Sequence, residues 1–158
     1  EEIKRGMASF QGVDRRFDFK LKTDRIVFLS DYAHHPAEIA QSVKSIRELY
    51  RDKKITAIFQ PHLYTRTRDF YHEFADSLSL LDEVILTDIY PAREQPIPGV
   101  SSRLIYDNLR PGIEKCMCRK EDILNLLEHK DIEVLIVLGA GDLDNYVPEI
   151  TRLLEKRC

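Results

Sequence analysis

The chain has 158 residues, enough for one domain that buries roughly two-thirds of its unfolded surface, and carries 24 Lys and Arg against 27 Asp and Glu, a formal net charge of −3. That balance lacks the basic excess of a generic nucleic-acid-binding surface, so no nucleic-acid partner is expected. No apolar run approaches the roughly 20 residues of a membrane-spanning helix, and no signal-peptide pattern opens the chain, so no membrane partner is expected either.

Residues 1–6 read as the end of a helix, and the chain opens on Glu1 rather than Met. A single domain, 1–158, cut from a longer protein is therefore expected. After a turn at 11–14, Arg15 to Lys22 alternates, placing Phe17, Phe19 and Leu21 on one face and predicting a half-buried strand at the sheet edge. Ile26 to Ser30 is apolar enough for a central strand. Pro36 suits the first position of a helix, where its missing N–H costs nothing. Ile39, Val43, Ile46, Leu49 and Tyr50 then trace one apolar helix face. Ile55 to Phe59 is a short strand, followed by a helix carrying Phe70, Phe74 and Leu78. Glu83 to Asp88 is the next strand, and a proline-rich loop leads to Ser101 and Ser102, which can cap a short helix reaching Leu109. Ile113 to Cys118 can form a strand and Lys120 to Glu128 a helix. Val134 to Leu138 is the most hydrophobic strand, and a last helix is restarted or bent by Pro148. Strands alternating with helices specify an α/β fold: a three-layer α/β/α Rossmann-like domain with a mostly parallel sheet, leaving room for an antiparallel N-terminal edge strand.

Four polar clusters fall just after strands: Asp31 to His35, Gln60 to Asp69, Asp88 to Glu94 and Gly139 to Asp142. In a parallel sheet these share one rim, the carboxyl edge where open α/β sheets bind ligands. His34 and His35 lack the spacing of a zinc site and read equally well as turn and cap residues, so no metal ligands are assigned. Asp31, at a strand end, can accept hydrogen bonds from a sugar hydroxyl, a metal-bound water or a substrate amine. His62, Tyr64, Arg66 and Arg68 offer an anion grip, although the two arginines are as well read as solvated charges before a helix. Gly139 to Gly141 offers backbone N–H groups to an anion without the G-x-G-x-x-G spacing of a dinucleotide site, and no P-loop sequence is present. Cys116, Cys118 and Cys158 match neither a disulfide framework nor a zinc pattern, which points to a reducing, cytoplasmic setting.

Together, Asp31 to Pro36, Phe59 to Asp69, Thr87 to Glu94, Pro96 to Val100 and Gly139 to Asp142 resemble the C-terminal domain of the Mur ligases of peptidoglycan synthesis. The branch they look most like joins L-alanine to UDP-N-acetylmuramate. A relative that ligates recycled murein tripeptide shares the D-x-x-H-H-P feature but does not usually carry Q-P-H-x-Y-T-R-T-R. A non-catalytic α/β module that holds an anion at its rim is a further alternative. The resemblance implies upstream domains for the UDP-sugar and for ATP, with ATP and Mg2+ as cofactors of the full-length enzyme. None would be bound tightly by this chain alone, which would be inactive in isolation. It implies that Arg16 approaches the ATP phosphates and that Asp31 meets the ATP ribose or a magnesium-bound water, making these two the catalytic pair. Tyr32 would line the nucleotide site. His34, His62, Arg66, Ala140 and Gly141 would surround the amino acid, with Arg66 clamping its carboxylate. Two residues depart from the usual pattern: Ala33 stands where many members have Gly, and Leu63 where many have Arg.

Overall fold

A computed structural model describes residues 14–158; the helix end expected at 1–6 and most of the turn at 11–14 lie outside the described residues. Six strands form one sheet: β1 (Asp18–Lys22), β2 (Val27–Asp31), β3 (Ile55–Phe59), β4 (Glu83–Leu86), β5 (Glu114–Met117) and β6 (Val134–Leu138), in the order β1-β2-β6-β3-β4-β5. Only β1 runs antiparallel to its neighbour; the other four pairings are parallel. The helices are α1 (Pro36–Leu49), α2 (Tyr64–Leu78), α3 (Arg103–Asn108), α4 (Ile123–Glu128) and α5 (Val147–Glu155).

Both faces of the sheet are covered, which is why β2, β3 and β6 read as unbroken apolar runs. Val27, Leu29, Ala57, Phe59, Ile136 and Leu138 pack on one face against Ile39, Val43 and Ile46 of α1 and Phe74 and Leu78 of α2. Phe28, Ile58, Leu135 and Val137 pack on the other against Ile123 and Leu127 of α4 and Ile150 and Leu154 of α5. The expected three-layer arrangement is therefore present.

Three local expectations are corrected. Phe17, Phe19 and Leu21 do not share a face: Lys20 is an extra residue in the β1–β2 register, so Phe17 packs in one core, Leu21 in the other, and Phe19 is exposed. A bulge of this kind reverses every side chain beyond it. Leu49, placed on the apolar face of α1, is 59% exposed, at the last residue of the helix. Ser102 does not cap α3 with its side chain. Its hydroxyl instead donates to the Thr87 carbonyl at 2.5 Å, and Ser101 Oγ accepts from the Arg103 N–H.

Candidate functional site

Parallel β2, β6, β3 and β4 end on one rim, and the four polar clusters meet there as expected. Beyond the ladder, Gly139 N–H donates to the Asp31 carbonyl and Gln60 N–H to the Leu138 carbonyl, knitting three of the clusters together. The fourth is joined by Tyr90 N–H donating to the Pro61 carbonyl and Leu63 N–H to the Tyr90 carbonyl. All four non-glycine residues with positive φ among those described, Arg15, Phe17, Leu63 and Ala92, lie in the segments flanking this rim. Strained backbone of this kind persists only where surrounding structure over-determines it, and it concentrates at functional sites.

On one side of the rim, a cavity of about 480 Å³ is lined by Arg16, Phe17, Asp31, Tyr32 and the first turns of α1. Arg16 is exposed, whereas Asp31 is buried. Both Asp31 carboxylate oxygens are engaged: Oδ1 accepts the Ala33 N–H at 3.1 Å and Oδ2 the Ser42 hydroxyl at 2.5 Å. Each oxygen keeps further lone-pair capacity. Ala33 itself is absent from the positive-φ residues, so a side chain at this turn carries no backbone strain.

The two adjacent histidines face apart. His35 packs on Phe70, which breaks the regular geometry of α2, at 5.2 Å between ring centroids. His34 turns to the rim, where Tyr32, His34, His62 and Tyr90 form a continuous row of rings spaced 5.2, 6.0 and 5.6 Å. Glu38 accepts the backbone N–H groups of both His34 and His35, fixing the entry into α1. Arg66 Nη1 lies 3.3 Å from His62 Nδ1. Burial, followed by the Arg66 guanidinium, pulls the His62 pKa below its ordinary value of 6.5. Arg68 instead pairs with Asp69 in the open, as a solvated charge at the start of the helix. Glu94, across the proline-rich loop, accepts the backbone N–H and hydroxyl of Thr65 in the first turn of α2. Leu63, just before that helix, has φ 73° and ψ 135° and is held there by its own N–H and by Thr67, whose N–H and hydroxyl donate to its carbonyl.

The Gly139 to Asp142 loop is corrected in one respect: the Gly139 N–H is already bound to Asp31, so it is not free for an anion. The loop opens into a short 3-10 turn over Asp142–Tyr146 before α5 begins. Buried Gln60 accepts the Leu143 N–H at 3.0 Å and donates to Asp142 at 2.9 Å. Lys120 grips the same Asp142. A Cβ at Gly141 would collide with Gln60 Oε1 and lie 2.8 Å from Tyr90 Cβ, so only glycine fits. Gln60, Asp88, Tyr90, Lys120 and Asp142 border a second cavity of about 320 Å³.

Arg16, Asp31 and Tyr32 are thus brought together at one cavity, and His34, His62 and Arg66 at the adjoining row of rings. Sequence reasoning missed Arg15. Its guanidinium stands 4.8 Å from the Tyr32 ring centre, with Nε 3.2 Å from Asp144 and Nη2 3.5 Å from the Gly141 carbonyl, and its own carbonyl accepts the Tyr32 N–H. The R-R pair is plain in the sequence; Arg15, at φ 61°, is the one that folds inward. Among the described residues, no group of three or more His, Cys, Asp or Glu could hold a metal ion.

The family described as "Mur ligase, glutamate ligase domain" matches residues 15–142. The chain belongs to this family. Its Mur ligase relatives include the UDP-N-acetylmuramate–L-alanine ligase of Phocaeicola vulgatus, 79% identical over 157 residues, covering 99% of this chain and 34% of that protein. The chain therefore spans about a third of the length of the curated relatives it matches. Among solved structures, the UDP-N-acetylmuramate-alanine ligase of Thermotoga maritima superposes with a TM-score of 0.77 at 26% identity, over 98% of this chain and 33% of that one. A murein peptide ligase from Psychrobacter arcticus shares the fold with a TM-score of 0.69 at 18% identity, over 96% of this chain and 31% of that one. The matched span opens at Arg15 and closes at Asp142, which are both pinned to the rim. In this Mur ligase domain the six-stranded, mostly parallel sheet and the rim are built by the same stretch of chain that defines the family.

Proposed function

We propose that this chain is the C-terminal domain of an ATP-dependent ligase that joins L-alanine to UDP-N-acetylmuramate in peptidoglycan precursor synthesis. The observation that carries the reading is the 79% identity, over nearly the whole chain, to a relative named for that activity. The domains that hold the UDP-sugar and ATP would lie upstream of Glu1, and 1–158 would be a single domain that closes over them. A cytoplasmic location follows from the same reading.

The rim suits a shared site. Arg16 is free to meet phosphate, and a guanidinium brought to a transferring phosphoryl group stabilises charge that develops in the transition state. Asp31 and Tyr32 would meet the nucleotide from the same cavity. Mg2+ would arrive on the ATP phosphates, with Asp31 placed to meet one of its waters. Arg66, fixed against His62, would clamp the carboxylate of L-alanine, with His34, Ala140 and Gly141 around it. Closing this face over the sugar would exclude the water that hydrolyses an acyl phosphate. The amine then attacks the acyl carbon and phosphate leaves.

The test is phosphate release by the full-length protein with UDP-N-acetylmuramate, ATP and Mg2+, offered either L-alanine or murein tripeptide. Release that depends on L-alanine is expected; a preference for tripeptide would favour the recycling ligase instead. Titration calorimetry of the isolated chain should show weak or no binding of ATP or L-alanine. Tight binding of an anion by the isolated chain would point to the stand-alone module.

A further inference from the structure

His34 and His62 face each other at 6.0 Å between ring centroids, and each has one nitrogen whose role is forced by its partner. His34 Nδ1 is 3.0 Å from the Tyr32 carbonyl oxygen. A carbonyl only accepts, so the proton of the neutral ring sits on Nδ1 and Nε2 carries a lone pair. His62 Nδ1 is 3.3 Å from Arg66 Nη1. A guanidinium only donates, so Nδ1 accepts and the proton sits on Nε2. Two neighbouring imidazoles are thereby held in opposite tautomers, one presenting a lone pair and the other an N–H. No partner occupies His34 Nε2 among the described residues.

We propose that His34 Nε2 accepts the proton that the incoming amino acid's ammonium group must lose before its nitrogen can attack, while His62 Nε2–H holds the substrate as a donor. This rests on the ligase reading above and deepens it. Arg66 touches His62 and His62 faces His34, so a carboxylate on Arg66 leaves the amine of a small α-amino acid beside the two rings. The ammonium N–H bond breaks and its proton passes to Nε2, leaving an imidazolium and a free amine. The amine lone pair forms the new bond to the acyl carbon. As the tetrahedral adduct collapses, the C–O bond to phosphate breaks and the nitrogen's second proton leaves with the phosphate. The imidazolium then returns its proton to solvent. Glu38 Oε2 lies 3.5 Å from His34 Nδ1, on the side of the ring turned away from the free Nε2. Arg66, from α2, and Glu94, from the proline-rich loop, are the charged groups that act on the neighbouring His62. Tyr32 and His62 supply the ring faces on either side.

Hydroxylamine separates this step from the others, because it is largely unprotonated at neutral pH and needs no base to attack an acyl phosphate. His34→Asn in the full-length protein keeps a side-chain N–H for the Tyr32 carbonyl but has no lone pair at the position of Nε2. Its rate with L-alanine should fall by on the order of 10²-fold or more relative to its rate with hydroxylamine, within the range of general-base contributions. Its alanine rate should also climb as pH rises and the free amine becomes available. Product formed with hydroxylamine shows that the variant is folded and still makes the acyl phosphate. Equal losses with both nucleophiles, or no loss with L-alanine, would overturn the assignment. Silence of the wild-type protein with both nucleophiles would overturn the ligase reading itself.

Discussion

Asp31 is the best-placed acid on the rim and also the one most engaged within the chain. Its two oxygens hold the Ala33 N–H and the Ser42 hydroxyl, and it is 8% exposed. Asp31→Ala should therefore destabilise the isolated chain by about 1–3 kcal/mol, the cost of leaving buried partners unmet, as read from urea unfolding. In the proposed full-length ligase, Arg16→Ala, which breaks no side-chain hydrogen bond or ion pair among the described residues, should lower turnover by about 10²–10³ with little change in the unfolding midpoint. Near-normal kinetics for Arg16→Ala would remove it from the phosphate site. Arg66→Ala should raise KM for L-alanine far more than KM for ATP. The same substitution should move His62 upward toward its ordinary pKa of 6.5, because the Arg66 charge and burial together hold it down. An NMR titration of the ring in both proteins checks this. The sign for stability follows: the unfolded chain binds a proton at His62 before the folded one does. The contribution of neutral His62 is thus complete above 6.5 and is lost as pH falls from there through the lower folded value.

At the scale of elements, what the sequence made legible was periodicity. Ile55–Phe59 and Val134–Leu138 are strands with the bounds their apolar runs mark, and Pro36 opens α1. The rim was legible because the four polar clusters each interrupt such a run. What escaped was non-local. The extra residue at Lys20 is a pairing decision made jointly with β2, and nothing in an alternating stretch announces it. The inward turn of Arg15, the reach of Ser102 to Thr87 and the use of Gln60 as a clamp depend on partners 15 to 126 residues away. Glu94 belongs to the same class. It caps α2 from 29 residues downstream, in place of Leu63, whose side chain cannot cap. Hydrogen bonds from Thr65 hold the Glu94 carboxyl below its ordinary range. Glu94→Ala should speed hydrogen exchange at the Thr65 amide and loosen the proline-rich loop while leaving the core strands protected. Unaltered exchange at Thr65 would show that the cap contributes nothing.

At the scale of the molecule, the two edges of the sheet have different tasks. The edge opposite the rim is fastened by buried Glu83, which meets Lys130, Lys54 and the Thr56 hydroxyl. Burial raises the Glu83 pKa, but the two lysines outweigh it and hold the carboxyl below its ordinary value of 4.5. Its stabilising contribution is therefore complete above the unfolded pKa and is lost as pH falls through the lower folded value. Lys130→Ala should cost about 1.5–3 kcal/mol at neutral pH, the range for a hydrogen bond to a charged group. That loss should shrink in acid as Glu83 takes up a proton. Equal losses at neutral and acid pH would show that packing of the lysine stem, not its charge, is what matters.

The loop between β6 and α5 has both of its carboxylates anchored: Asp142 by Lys120 and Gln60, Asp144 by Arg15 and Ser30. Four anchors drawn from four different parts of the chain hold this wall of the pocket. If the proposed ligase swings this domain during turnover, the wall would travel with it, and the hinge would lie outside this loop. Under that reading, a small molecule selected against the 158-residue chain alone would meet the same wall that the proposed ligase presents.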